Sequence, residues 1–234
     1  MYKRQVFNDL YDYCLYMGDY VQGVTPAGNL SATVVYGDKN SSSMDNPPQM
    51  YLGSDQYSIV NNFQIAHGRD LSKIDVDNYS NVCVMGARAA QNFFDFTDPV
   101  GKEVLVNGLP FTVIGVYMEK DPNNDYSMDN IILFPYTAAR NLGQIVDMSQ
   151  VYVKCRDSNS VKQAKAMIEG FLTGICGDPN DYTNQKGYFY TYNDDQWQES
   201  MNEQAAMMSL VLGGIAGISL LVGGIGIMNI MLVT

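Results

Sequence analysis

The sequence predicts a mixed α/β domain leading into one membrane-spanning helix, and three features of its 234 residues carry that prediction. Residues 204–234, QAAMMSLVLGGIAGISLLVGGIGIMNIMLVT, contain no charged side chain. Residues 150–192 read as strand, helix and strand in turn, the βαβ unit of a mixed α/β lobe. Acidic residues alone flank the apolar run on its N-terminal side, which places the domain outside the cytoplasm.

Ala205 to Val233, at a helical rise of 1.5 Å per residue, covers roughly 40 Å, against ~30 Å for bilayer hydrocarbon. The competing reading is a buried core helix. Its glycines, Gly213, Gly214, Gly217, Gly223, Gly224 and Gly226, argue against that, because each costs about 1 kcal/mol relative to Ala in a water-soluble helix. In lipid the backbone bonds internally and small residues become contact surfaces for a neighbouring helix. Gly213 with Gly217, and Ser219 with Gly223, have small-xxx-small spacing and are the expected packing residues. The C-terminal position excludes a secretory signal. A tail anchor would fit the run, but the chain stops inside it at Thr234, so the expectation is a piece of a longer membrane protein.

The charge is acidic: 14 Lys+Arg against 25 Asp+Glu, net -11. That balance disfavours nucleic acid and anionic membrane surfaces as partners. Asp194, Asp195, Glu199 and Glu203 precede the apolar run, and no Lys or Arg follows Lys186. Seventeen tyrosines and ordinary apolar content predict a folded domain. Cys14, Cys83, Cys155 and Cys176 show no CxxC; outside the cell they allow up to two disulfides in any of three connectivities, and the expectation is reduced thiols.

Along the chain, Val6, Leu10, Tyr13, Cys14 and Met17 describe one face of a helix over 6–20, ended by Gly18. Val21–Thr25 and Ser31–Tyr36 read as strands, and 38–48 as an exposed loop. Val82–Met85 is a short buried strand and Ala87–Phe94 a helix. The clearest hairpin joins Val104–Val106 to Phe111–Tyr117 through Asn107-Gly108-Leu109-Pro110, with Asn-Gly supplying positive φ. Ile131–Phe134 is a buried strand, 138–140 a short helix, Gln150–Cys155 a strand, Ser160–Leu172 a helix capped by Ser160, and Gly187–Tyr192 a strand. From Asp194 a helix runs unbroken into the apolar segment. Trp197, Met201, Ala205 and Met208 form a stripe on it, expected to pack on its own domain or on a second helix in a stalk.

No catalytic constellation is visible. Gly101-Lys102 is followed by Glu103, and Phe96 stands where a phosphate loop needs its first glycine, so any ATP use resides elsewhere. Asp121, Asn123 and Asp125 imitate the first ligands of a calcium loop, but Tyr126 and Ile132 replace its glycine and glutamate. That segment, like Asp178-Pro179-Asn180-Asp181, reads as a solvated loop. The lone His67 has no partner for a His-based metal cluster or a triad and is expected to pack or hydrogen-bond at a turn.

The run Ser219-Leu220-Leu221-Val222-Gly223-Gly224-Ile225-Gly226-Ile227-Met228-Asn229-Ile230-Met231-Leu232-Val233 resembles the start of the second transmembrane helix in MacB-type ABC transporter permeases of the FtsX-like group. Gly68-Arg69, Asp98-Pro99-Val100-Gly101-Lys102, Val106-Asn107-Gly108 and Phe111-Thr112-Val113-Ile114-Gly115-Val116 resemble that family's extracytoplasmic core domain. The resemblance implies a two-lobed α+β domain over 1–198, with a porter-like lobe from about 5–60 and 148–198 and an inserted lobe from about 61–147. Residues 199–234 would be stalk and truncated transmembrane helix. It further implies a permease subunit in the cytoplasmic (inner) membrane, dimeric, coupled to a cytoplasmic ABC ATPase that holds ATP and Mg, with a periplasmic adaptor or membrane-fusion protein as a further partner. Antibiotic, peptide or lipoprotein cargo would be expelled by mechanical transmission. The alternative is the external domain of a membrane sensor.

Overall fold

The computed structural model describes residues 2–95, 97–121, 124, 128–144, 150–177, 187–193 and 195–233. They form a mixed α/β fold and a long C-terminal helix, in two compact units, Met1–Gly187 and Tyr188–Thr234.

The first unit begins with α1 (Tyr2–Tyr16). Phe7, Leu10, Tyr11, Cys14 and Met17 are buried at helical spacing: Leu10, Cys14 and Met17 are inside as expected, Phe7 and Tyr11 are inside as well, and Val6 and Tyr13 are only half-buried. The helix ends at Tyr16 in a turn rather than continuing to Tyr20. After it β1 (Val21–Pro26) pairs antiparallel with β11 (Val151–Cys155) in a two-stranded sheet. Helix α5 (Ser158–Cys176) packs on β11 and buries Ala164, Ile168, Leu172 and Cys176, each four residues from the last. Its cap is Asp157, not Ser160. Asp157 holds the extended backbone of a cap and its carboxylate accepts from Ser160 N at 2.7 Å, so Ser160 is already inside the helix.

The other strands of this unit make one sheet. They are β2 (Gly28–Asn29), β3 (Val34–Tyr36), β4 (Lys39–Asn40), β5 (Gln49–Gly53), β6 (Ile65–Gly68), β7 (Val82–Met85), β8 (Glu103–Val106), β9 (Leu109–Tyr117) and β10 (Ile131–Pro135). The order is β2-β5-β10-β7-β9-β8-β3-β4, with β6 on β9, so strands from both sides of residue 60 contribute. The pairs β5–β10 and β7–β9 are parallel. All five residues of β10 are buried, as its continuous apolar sequence requires when both faces are covered. Strand β3 starts at Val34, and the segment expected to be a loop carries β4 and a 3-10 turn at Ser41–Ser43. Helices α2 (Tyr57–Asn61), α3 (Lys73–Asp77) and α4 (Ala87–Phe94) sit between strands. Tyr57, Phe63, Leu71, Val84, Tyr117, Ile131 and Leu133 form one apolar cluster there.

The β8–β9 hairpin turns on two residues. Asn107 (φ 48°) and Gly108 (φ 85°) both occupy the left-handed region, so the strand resumes at Leu109, opposite Val106. Gly68 and Gly115 are needed where β6 leaves β9. A Cβ on Gly68 would lie 2.3 Å from Ile114 O, and one on Gly115 would lie 2.2 Å from Arg69 O. The adjoining Arg69 donates to both oxygens of Asp75, at 2.6 and 3.0 Å. Asp75 and Ser72 form a capping box at the start of α3. His67 is exposed on β6, opposite Val116, rather than at a turn.

In the loop after β9, Lys120 N and Asp121 N donate to the Asp129 carboxylate at 2.8 and 2.7 Å. Asn123, Asp125, Phe96 and residues 178–181 lie outside the described residues. In the second unit, Tyr188, Tyr190 and Tyr192 are exposed and 187–193 form no strand. The alternation of aromatic residues imitates a half-buried strand, but no ring is buried to fix one. Helix α6 (Asp195–Val233) is unbroken over 39 residues.

The Arg69 hydrogen bonds hold the Asp75 carboxyl at about 2, below its ordinary 3.8. A depressed acid stabilises the fold above its unfolded pKa and loses that contribution as pH falls through the folded value. Asp75→Asn should therefore destabilise the chain by about 1–3 kcal/mol at neutral pH. It should also flatten the fall in thermal midpoint between about pH 4 and pH 2. An acid profile unchanged from wild type, measured by thermal unfolding in detergent, would count against this role.

Candidate functional site

Two features gather the residues with a functional reading: a polar junction around α1, and α6. At the junction, a cavity of about 300 Å³ is lined in part by Tyr11, Asp12, Asp55, Lys73, Asp77 and Tyr136. Helix α1 supplies Tyr11 and Asp12, the β5–α2 connection Asp55, α3 Lys73 and Asp77, and the segment after β10 Tyr136. Tyr11 Oη donates to Asp55 at 2.9 and 3.0 Å to its two oxygens. Gln56 Nε2 donates to the same hydroxyl at 3.4 Å, while Gln56 Oε1 accepts from Val24 N at 2.8 Å in β1. The Lys73 ammonium lies 5.0 Å from the centre of the Tyr11 ring. One turn earlier on α1, Phe7 meets Tyr136 edge-on at 5.4 Å, and Tyr136 Oη donates to Asn8 at 3.3 Å.

Burial pushes the Asp55 carboxyl up, and the Tyr11 hydrogen bond partly offsets this. Tyr11 is pushed up as well, first by burial and then by the charge of Asp55. The phenol thus keeps its proton and acts as a donor, so the pair is a joint rather than an acid–base couple. Among the described residues no three His, Cys, Asp or Glu side chains are grouped to hold a metal. None of these junction residues stood out in the sequence as a site. Tyr11 and Asp55 are 44 residues apart, and the only local signal was the i, i+4 pair Phe7 and Tyr11.

On α6, Met201, Ala205, Met208, Gly213, Gly217, Ser219 and Gly223 are all exposed, and the Trp197 side chain lies outside the described residues. Met201–Gly223 is long and apolar enough to cross a membrane, with none of it buried. A Cβ on Gly213, Gly217 or Gly223 would meet nothing within 4 Å. Turning roughly 100° per residue, the helix carries Trp197, Met201, Ala205 and Met208 on one side. Ser219 and Gly223 fall on the continuation of that side, and Gly213 with Gly217 on the opposite one.

A family model described as MacB-like periplasmic core domain matches residues 7–171. The chain belongs to that family. Among curated relatives, the pyoverdine export ATP-binding/permease protein PvdT of Pseudomonas syringae pv. syringae (strain B728a) is 35% identical over 92% of this chain and 31% of its own length. The macrolide export ATP-binding/permease protein MacB of Aggregatibacter actinomycetemcomitans is 32% identical over 92% of this chain and 32% of its own. The MacB-like chain thus spans about a third of these relatives. In structure, the periplasmic region of MacB from Actinobacillus actinomycetemcomitans matches with TM-score 0.63 at 25% identity, covering 83% of this chain and 81% of that one. The extracellular domain of the noncanonic ABC-type transporter YknZ from Gram-positive bacteria shares the fold, at TM-score 0.57 and 19% identity over 72% of this chain and 83% of that one. The first unit is therefore a MacB-like periplasmic domain, and α6 is a candidate membrane span attached to it.

Tyr11→Phe removes the donor from the half-buried Asp55 carboxylate. It should destabilise the domain by about 1–2 kcal/mol at neutral pH. The loss should shrink in mild acid, where Asp55, its pKa raised, takes up a proton and needs the donor less. Denaturant unfolding of both proteins at the two pH values measures it; an equal loss at both would speak against the joint.

Proposed function

We propose that this chain is the external domain and the start of a membrane helix of a permease subunit in an ABC exporter, with the domain on the outer side of the cytoplasmic membrane. The observation that carries the reading is α6. One unbroken helix joins a polar stretch that begins at Asp195 to an apolar, glycine-bearing span, in a chain whose relatives are named export ATP-binding/permease proteins. A helix of this kind carries displacement along its own length, from the span to the polar stretch that starts at Asp195.

In this reading ATP and Mg are bound by a cytoplasmic ATPase domain or subunit. Two permease copies pair in the membrane, and the external domain is driven to release antibiotic, peptide or lipoprotein cargo outside. A periplasmic adaptor would be a further partner. The two faces of α6 have separate tasks. Trp197, Met201, Ala205, Met208, Ser219 and Gly223 face one neighbour along the stalk and into the lipid, and Gly213 with Gly217 admits a second helix on the other side. The sensor alternative loses ground because the named relatives are transporters rather than signalling proteins.

The test uses the complete transporter in cells. Gly217→Leu and Gly223→Leu should each reduce export several-fold, while the purified protein retains the thermal unfolding midpoint of its external domain. Unchanged export by both variants would remove the packing role. Export that persists when the associated ATPase is inactivated would remove the exporter reading itself.

A further inference from the structure

Cys14 and Cys155 are far apart in the sequence and not bonded to each other in this structure, but the fold brings both to the same side of the β1–β11 pair. In the β1–β11 ladder Gly23 stands opposite Lys154, and Val21 opposite Cys155, with an irregularity in β1 between them. Successive residues of a strand face opposite sides. Gly23 faces α2, since a Cβ there would meet Ile59 Cγ2 at 3.2 Å, and Lys154 Nζ donates to Ile59 O at 2.9 Å on that same side. Cys155, one residue later, therefore faces the other layer, that of α1 and α5. Cys14 belongs to this layer. It is 1% exposed and lies one turn before Met17, whose carbonyl accepts from Val21 N at 2.9 Å.

The surroundings hold the two residues in place. Arg156 N donates to Tyr20 O at 3.0 Å and Arg156 Nε to Gly18 O at 2.6 Å, fastening the end of β11 to the turn that leaves α1. Burial, and then the nearby Cys155 thiol, push the Cys14 thiol up to about 12. The other two cysteines are placed differently. Cys83 is wholly buried in β7 of the large sheet. Cys176 ends the 19-residue α5, roughly 27 Å from the end that adjoins Cys155.

We propose that Cys14 and Cys155 form a disulfide in the oxidising periplasmic compartment, clamping the last turn of α1 to the end of β11. The oxidant is an external disulfide, either glutathione disulfide or a thiol–disulfide oxidoreductase. The half-exposed Cys155 attacks it as thiolate, giving a mixed disulfide and releasing one thiol. Cys14, as thiolate, then attacks the Cys155 sulfur and expels the second thiol. The chain loses two protons and two electrons, and the external disulfide becomes two thiols. Because the Cys14 thiol resists ionisation once buried, the second step belongs to folding, before α1 closes over the sheet.

The full chain, expressed to the periplasm and purified in detergent, is denatured, its free thiols are blocked with N-ethylmaleimide, and it is digested without reductant for mass spectrometry. A peptide containing Cys14 linked to one containing Cys155 is expected, two hydrogen atoms lighter than the sum and lost on reduction. Recovery of both cysteines as blocked thiols, or a link from Cys14 to Cys83 or Cys176, would overturn the proposal. Cys155→Ser is the companion variant, as its half-exposed site tolerates the change better than Cys14. Reduction should lower the thermal midpoint of the wild-type chain and leave that of Cys155→Ser unmoved; an equal drop in both would also overturn it.

Discussion

Helix α1 has to satisfy two different surfaces with one stripe of side chains, and the arrangement of the domain depends on its doing so. Phe7 and Tyr11, toward its start, meet Tyr136 and Asp55, which belong to connections of the large sheet. Cys14 and Met17, toward its end, are buried where the chain turns into β1. A two-stranded sheet is marginal by itself in water. The β1–β11 pair is held because α1 and α5 cover one side and α2 the other. The hydrophobic stripe supplies most of the free energy, and the Tyr11–Asp55 bond helps fix its rotational setting, because a half-buried carboxylate is better satisfied with a donor than without one.

A second tie works through α2. Its carbonyl end is gripped by one lysine from each sheet: Lys154 of β11 donates to Ile59 O at 2.9 Å, and Lys120, just after β9, donates to Asn61 O at 2.6 Å. Positive charge at that end complements the helix dipole, and Lys120 also stacks on the Phe63 ring at 3.8 Å. Asn62 closes the helix in the left-handed conformation, with φ 57°. Gly23 lets β1 lie close beneath α2, since any side chain there would press on Ile59 and Val60. The two sheets are thus tied at two separated places by hydrogen-bonded groups seated on apolar contacts.

Elements whose pattern was strong and local were legible in the sequence: the buried run of β10, the Asn107-Gly108 hairpin, α4, and a charge-free segment that became the exposed part of α6. What failed had physical reasons. Strands of two or three residues such as β2 and β4 are too short to show a period, and their pairing comes from the sheet they join. Asp157 and Ser160 are both good caps, and only backbone conformation distinguishes them. The alternating tyrosines at 188–192 carry the look of a strand without burial behind it. At the junction, the expected face of α1 took in Val6 and Tyr13 and so left out Phe7 and Tyr11. Asp55, Lys73 and Tyr136 reach the same cavity from separate connections, and no spacing in the sequence announces such a meeting.

These ties bear on how displacement would travel through the first unit. A displacement of α1 along its axis would reach the large sheet through Tyr136 and Asp55 and the small sheet through the turn to β1. A hinge between the sheets would need one of these attachments to be weak. Each instead rests on buried aromatic or aliphatic contact; the Lys120 and Lys154 bonds are exposed and add little, while the part-buried Tyr11–Asp55 bond adds more. Opening the junction would also leave the half-buried Asp55 without its Tyr11 donor. The low-energy response is therefore for both sheets to follow α1 together, which favours rigid-body displacement of the domain over opening between its sheets.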